Sequence, residues 1–169
     1  MTWTNEDGLI QRFGVERSTS QTHGVSTRGV KNYLVVDLPD ATALVNTLGT
    51  SYPPDEDSPF VPAGSIVTNA WFVATTDFTS GGAATLDIGF QQADGTLIDA
   101  DGIDADIALA KLVDGAGTGV VNCDGAYVAN AGGDGQQVLT NNAYVGFSYE
   151  TAVYTAGAGK LILEYIKVE

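Results

Sequence analysis

Histidine and cysteine each occur once in the 169 residues, as His23 and Cys123. A single cysteine excludes an internal disulfide and a cysteine-rich zinc site. A single histidine excludes any site that needs two. Cations are also scarce, with Lys and Arg numbering 7 against 21 Asp and Glu, for a net charge of −14. A chain so poor in cations cannot hold nucleic acid by neutralising phosphates, and an anionic membrane repels it. No apolar run reaches the ~20 residues of a membrane-spanning helix. The polar, acidic start from Met1 to Asp7 does not read as a secretory leader. What is abundant is glycine, at 21 residues, within a composition that is 44% hydrophobic. The length allows one domain, or one domain with an arm. These features describe a soluble, acidic, Gly-rich domain whose work is physical contact.

Charge divides the chain unevenly. Residues 1–31 hold four cations (Arg12, Arg17, Arg28 and Lys31) against Glu6, Asp7 and Glu16, a net of +1. Residues 32–169 hold three lysines against eighteen acids, a net of −15. The first segment is polar and lacks apolar runs, so it reads as an arm. It still carries Trp3, Leu9, Ile10, Phe13 and Val15, large apolar side chains that need a surface to cover them.

From Asn32 the pattern becomes that of short strands. Tyr33–Val36 fits a buried strand. Ile66–Val73 continues toward Thr79, and Ser80–Ala83 is a turn signal. Thr85–Phe90 alternates, placing Leu86, Ile88 and Phe90 on one face of a half-buried strand. Asp94-Gly95 marks a two-residue hairpin turn. Ile103–Val113 is the one helix candidate, with Asp104 and Asp106 in its first turn and Gly115 beyond its end. Strands follow at 120–121, 126–128, 138–139, 144–149 and 161–166, separated by Gly, Asn and Asp clusters that include Ala156-Gly157-Ala158-Gly159. The 144–149 strand is apolar on both faces, which implies a second sheet on one side and a neighbouring subunit on the other. Several short strands with turn signals between them imply a β-sandwich or barrel. The Pro-rich stretch 51–59 reads as a surface loop.

Motifs for chemistry are weak. Asp99, Asp101, Asp104 and Asp106 could hold Ca²⁺, but their spacing fails the EF-hand pattern and no Glu closes the loop. A turn and an acidic helix start account for them better. Carboxylate pairs for glycoside hydrolysis are too plentiful to mean anything. His23 lies in the arm, and Cys123 sits beside Asp124, which disfavours a thiolate. The Gly-rich runs 115–119 and 132–135 lack the Lys-Ser/Thr of a phosphate loop. No catalytic, cofactor-binding or metal residue is therefore expected.

The opening Met1–Leu9 with Arg12-Phe13-Gly14 resembles the start of structural proteins in tailed-bacteriophage virions. Val61–Val67, Thr75–Gly89, Ile103–Leu109 and Tyr154–Tyr165 are similar to the same group. Together these pieces span most of the chain, and their order is more specific than any one of them. The resemblance implies a virion component built on a jelly-roll sandwich, and within that group a head decoration, or cement, protein. Such a protein would sit on the outer surface of the capsid, bind the major capsid protein and form homotrimers. The alternative is a tail-fibre or vertex protein that binds a host receptor or glycan through loops such as 51–60 or 130–142. The expected fold class is thus all-β. A jelly-roll-like antiparallel β-sandwich spans 32–169, with one short helix, and an extended N-terminal arm spans 1–31. Trp3, Leu9, Ile10 and Phe13 are the arm's candidate docking anchors. Arg12, Arg17 and Arg28 are candidate partners for shell carboxylates.

Overall fold

The computed structural model describes residues 2–4, 10–12, 31–46, 48, 58–113, 119–128 and 137–168. Among these residues ten strands form three sheets. Strands β1 (Thr2–Thr4) and β2 (Ile10–Arg12) pair with each other, antiparallel. The other eight are β3 (Lys31–Leu38), β4 (Phe60–Val61), β5 (Ser65–Ser80), β6 (Thr85–Gln91), β7 (Leu97–Ala108), β8 (Val120–Asn122), β9 (Ala143–Glu150) and β10 (Tyr154–Lys167). They make two four-stranded sheets, ordered β3-β10-β5-β8 and β4-β9-β6-β7.

That order has a simple origin. The first strand of the eight pairs with the last, the second with the seventh, the third with the sixth and the fourth with the fifth. Four successive antiparallel pairs describe one long ribbon folded at β6–β7. Winding the ribbon brings β10 beside β5 and β9 beside β6, which closes each sheet. The result is the two-sheet jelly roll.

Alternation along the strands explains which faces meet. Leu161 lies between Val36 and Phe72, and Phe72 lies opposite Val121, so one row crosses all four strands of the first sheet. In the second sheet Leu86, Ile88 and Phe90 stand opposite Tyr149, Phe147 and Val145. Phe72 and Phe147 meet edge to face between the sheets, with ring centroids 6.1 Å apart. Phe72 also meets Phe78, and Phe78 meets Tyr154.

Several sequence expectations are corrected here. Ile103–Val113 is not a helix. It is the second half of β7 followed by a short 3-10 turn, Leu109–Lys111. The step of four from Ile103 to Ile107 is one helical turn, but it is also an even step along a strand. Pairing with β6 decides the matter. Residues 126–128 form a turn, not a strand. The backbone N–H groups of Gly125 and Tyr127 donate to the Ile103 and Gly102 carbonyls of β7. Ala156–Gly159 is not a turn but part of β10. Added Cβ atoms at Gly157 and Gly159 would lie 2.6 Å from the Phe78 ring and 2.3 Å from Phe72 Cζ. Those glycines let β10 pass beneath two core rings. The β6–β7 connection is a three-residue loop rather than a two-residue one. The Gln92 N–H donates to the Thr96 carbonyl, which leaves Ala93, Asp94 and Gly95 between them, and Gly95 adopts φ 82° with its N–H donating to the Gln92 carbonyl. This is the three-residue alternative, ending in a left-handed residue.

Strand β6 is buried on both faces, not one. The cause is a wide irregularity opposite it. Between Ile88 and Phe90, β7 inserts the stretch from Asp99 to Asp104. Its Ala100 carbonyl oxygen would lie 2.2 Å from a Cβ at Gly89. A backbone carbonyl cannot yield as a side chain can. Gly89→Ala is therefore expected to lower unfolding free energy by ~2 kcal/mol or more, the range of overpacked cores. Gly81→Ala, where a Cβ meets nothing within 4 Å, should stay within about 0.5 kcal/mol of the parent. Urea denaturation of both variants checks the contrast.

Candidate interaction surface

The two outward faces of the sandwich differ. On the β4-β9-β6-β7 sheet the outward row holds Gln91, Gly89 and Asp87 opposite Tyr144, Gly146 and Ser148. All six are buried. The covering atoms come from the chain itself. Leu48 packs where a Cβ on Gly146 would sit, the Val45 carbonyl accepts from the Tyr149 N–H, and the β7 irregularity lies against Gly89. The expectation that a neighbouring subunit covers the second face of the 144–149 strand is thus corrected. Val45 and Leu48, between β3 and β4, do so.

The outward face of β3-β10-β5-β8 is open among the described residues. Val35, Ile162, Trp71 and Asn122 form one row across it; Asp37, Lys160, Val73 and Val120 form the next. Tyr33 is 63% exposed, Val120 59% and Val35 51%. Trp71, Val73 and Ile162 are half-buried by their neighbours. Strand β3 is thus an exposed edge strand, not the buried one expected from Tyr33–Val36. Only Leu34, Val36 and Leu38 turn inward.

Charges on this face are paired. Lys160 meets Asp37 at 2.9 Å. Glu164, whose side chain is 5% exposed, accepts from Lys31 at 2.7 Å. It also accepts from Tyr33 Oη at 2.9 Å, Thr68 Oγ1 at 2.6 Å and Asn69 Nδ2 at 3.1 Å. These donors, Lys31 first, hold its carboxyl down at about 2. The network fastens the start of β3, where residues 1–30 enter, to β10 and β5.

The acidic cluster does not converge. Asp101 and Asp106 are exposed, Asp99 is half-buried and Asp104 is buried. Among the described residues no three His, Cys, Asp or Glu side chains gather to hold a metal ion. Burial, then repulsion from Asp124, raises the Asp104 carboxyl to about 6. Cys123 is buried beside it, and burial and Asp104 both push its thiol up. That is the reverse of an activated nucleophile.

Of the arm candidates, Trp3 lies on β1 and Ile10 and Arg12 on β2. Leu9, Phe13, Arg17, Arg28 and His23 lie outside the described residues, as do loops 51–57 and 129–136. Sequence reading missed the open face and the Glu164 network. The signal for the face was present in Trp71 and Val73, which sit out of phase with Phe72 and Ala74. The network had none, since its members are far apart in the chain.

No protein-family model matches the chain, and no curated protein does. Solved structures do. The chain is similar to one from the capsid of Ralstonia phage GP4, with 17% identity and a TM-score of 0.50 over 89% of this chain and 92% of that one. It is also similar to a chain of the cyanophage Pam1 capsid, with 14% identity and a TM-score of 0.51 over 92% and 96%. A third match is the acid-stable capsid of Helicobacter pylori bacteriophage KHP30, at 13% and 0.51 over 83% and 90%. The likeness is one of fold.

Two carboxyls give opposite pH dependences. Glu164 has a depressed folded value, so its stabilisation is present above ~4.3, the usual unfolded value, and is lost as pH falls toward about 2. Asp104 has a raised one, so its ionisation penalises the fold increasingly from ~4, the usual unfolded value, up to about 6. Glu164→Gln should therefore destabilise at pH 7 and approach the parent at pH 2. Asp104→Asn should stabilise at pH 7, by ~1 kcal/mol, and lose that gain below pH ~4. Urea midpoints across this range decide both.

Proposed function

We propose that this chain is a non-enzymatic structural protein of a phage virion: a decoration, or cement, protein on the outer surface of the head shell. Its partner is the major capsid protein, and its own assembly is a homotrimer. The observation that carries the reading is the extent of the shared fold. At least 83% of this chain superposes on at least 90% of chains from three phage capsids. The jelly roll is not a function by itself, so the surface must supply the rest. A body of −15 with one charge-balanced apolar face has a defined side for contact. The arm enters on that same side, at Lys31. Trp3, Leu9, Ile10 and Phe13 supply apolar anchors, and Arg12, Arg17 and Arg28 supply forks for shell carboxylates.

Cryo-electron microscopy of the intact particle tests the role. Copies arrayed over the whole shell at local symmetry axes, with residues 1–31 against capsid subunits, are expected. A few copies confined to the tail or a vertex would overturn it. In a binding assay on isolated shells, Arg12→Glu, Arg17→Glu and Arg28→Glu together should weaken binding of the full chain at least about tenfold, as lost interface charge pairs do. Unchanged binding removes the arm from the interface.

A further inference from the structure

We infer that two copies of this protein join edge to edge through β3, antiparallel, about a two-fold axis at Leu34. An edge strand carries a row of backbone donors and acceptors that can pair with another chain, and folds normally blunt it. Among the described residues the two four-stranded sheets end in β3, β8, β4 and β7. Strands β8 and β4 are blunted by length, at three and two residues. Strand β7 is blunted by its slipped pairing and by the stretch inserted between Asp99 and Asp104. Strand β3 has neither device. It runs for eight residues without Pro or Gly, in unbroken register with β10. No described strand pairs with its other side.

The sequence of β3 selects a second copy as the occupant. With Leu34 opposite Leu34 of the other copy, Lys31 of each copy faces Asp37 of the other, and Tyr33 faces Val35. Opposite charges, and an aromatic against a β-branched side chain, are favourable cross-strand pairs. These four residues all lie on the exposed side of β3. Facing residues share parity, so the alternating ladder bonds match. Open face then continues into open face, and the inward row of Leu34 and Val36 into its counterpart. Moving the axis to Tyr33 or Val35 keeps the faces matched, but sets Lys31 against Val35 or Pro39 and leaves Asp37 without it.

Charge continues across the seam. Asp37 meets Lys160 of its own chain at 2.9 Å, and its side chain is still 64% exposed. Lys31 meets Glu164 at 2.7 Å. Pairing joins these two ion pairs in one alternating series: Lys160, Asp37, Lys31 of the other copy and its Glu164. The seam is balanced although each chain carries −14, and general repulsion directs association to such a place. The ladder from Lys31 to Asp37 is about 23 Å long. It belongs with small interfaces, below about 1,200 Å² in total, so the pair forms at micromolar protein. The contact is two-fold. It is independent of the three-fold assembly proposed above and does not rest on the capsid role.

Val35→Lys places a charge in the seam at a position 51% exposed in the free chain. Sedimentation of the full chain at about 100 μM, well above a micromolar dissociation constant, should give the parent twice the mass of Val35→Lys. Far-ultraviolet circular dichroism should be the same for both. Disulfide trapping tests the register. Directly opposed residues have Cα atoms about 5.5 Å apart or less, within disulfide reach. Identical positions fall on a diagonal, ~7–8 Å apart, beyond that reach. A mixture of Tyr33→Cys and Val35→Cys chains should therefore cross-link at least about tenfold faster than either variant alone. Cys123 is buried and stays out of the reaction. A parent with the same mass as Val35→Lys overturns the inference and leaves the edge to a strand of another protein. So does trapping in the mixture that is no faster than in the separate variants.

Discussion

The structure depends on how Phe72 fills the space between the sheets. Its ring is fully buried. It meets Phe147 of the facing sheet and Phe78 of its own. A ring of this size over a neighbouring strand needs that strand's backbone close beneath it. Gly159 provides this, and Gly157 does the same under Phe78. Glycine inside a strand costs stability, roughly 0.5–1 kcal/mol each. Burying a phenylalanine offsets that, at about 1.5–3 kcal/mol. The pairing of bulky aromatics on β5 with glycines on β10 thus sets how the two longest strands lie together, and with them the sheet spacing.

The wound ribbon then decides what is open. The ribbon folds at β6–β7, and its free end is β3 with β10. Winding leaves β3 on an edge, paired on one side with β10. The connection after β3 must cross to the other sheet to start β4, and in crossing it lays Val45 and Leu48 over β9. Sealing one outer face and leaving the other open among the described residues are therefore two results of one topology. The Glu164 network sits at the open side because the ribbon's two ends meet there. Lys31 and Tyr33 come from its beginning and Glu164 from its end.

Legibility followed regularity. Thr85–Phe90 alternates, Tyr144–Tyr149 and Leu161–Ile166 are short apolar runs, and all three are strands. The all-β class and the sandwich were legible from them. Where the chain bulges, the pattern lost its meaning. Asp106 adopts φ 53° within β7, and the pairing slips across it, between Asp104 and Ile107. Local sequence cannot separate such a strand from a helix. Glycine was ambiguous for another reason: Asp94-Gly95 does mark a turn, while Gly157 and Gly159 mark a close approach. Only the facing ring distinguishes the two. The open face was half legible, in the parity of Trp71 and Val73, because sequence shows alternation but not which side is left uncovered.

The perturbed groups of the interior bear on whether this body is built for chemistry or for contact. Asp104 and Cys123 lie side by side: burial and then Asp124 oppose ionisation of the Asp104 carboxyl, which a hydrogen bond with Cys123 eases, while burial and then Asp104 push the thiol up. Tyr154 is buried with its hydroxyl unpartnered and is pushed up by burial and then by Asp87. A catalytic site shifts its groups toward usable ionisation at neutral pH. Here the thiol and the phenol are driven away from it, whereas the Asp104 carboxyl, raised to about 6, moves toward it. Those shifts follow from packing a chain with eighteen acids and three lysines beyond residue 31, where few cations remain to pair with what the sheets enclose. The same scarcity makes the open face distinctive. Two cations, Lys31 and Lys160, are engaged there by Glu164 and Asp37. That leaves a neutral apolar surface on a body whose charge keeps other acidic surfaces away, so the permitted direction of approach is set by where the lysines are.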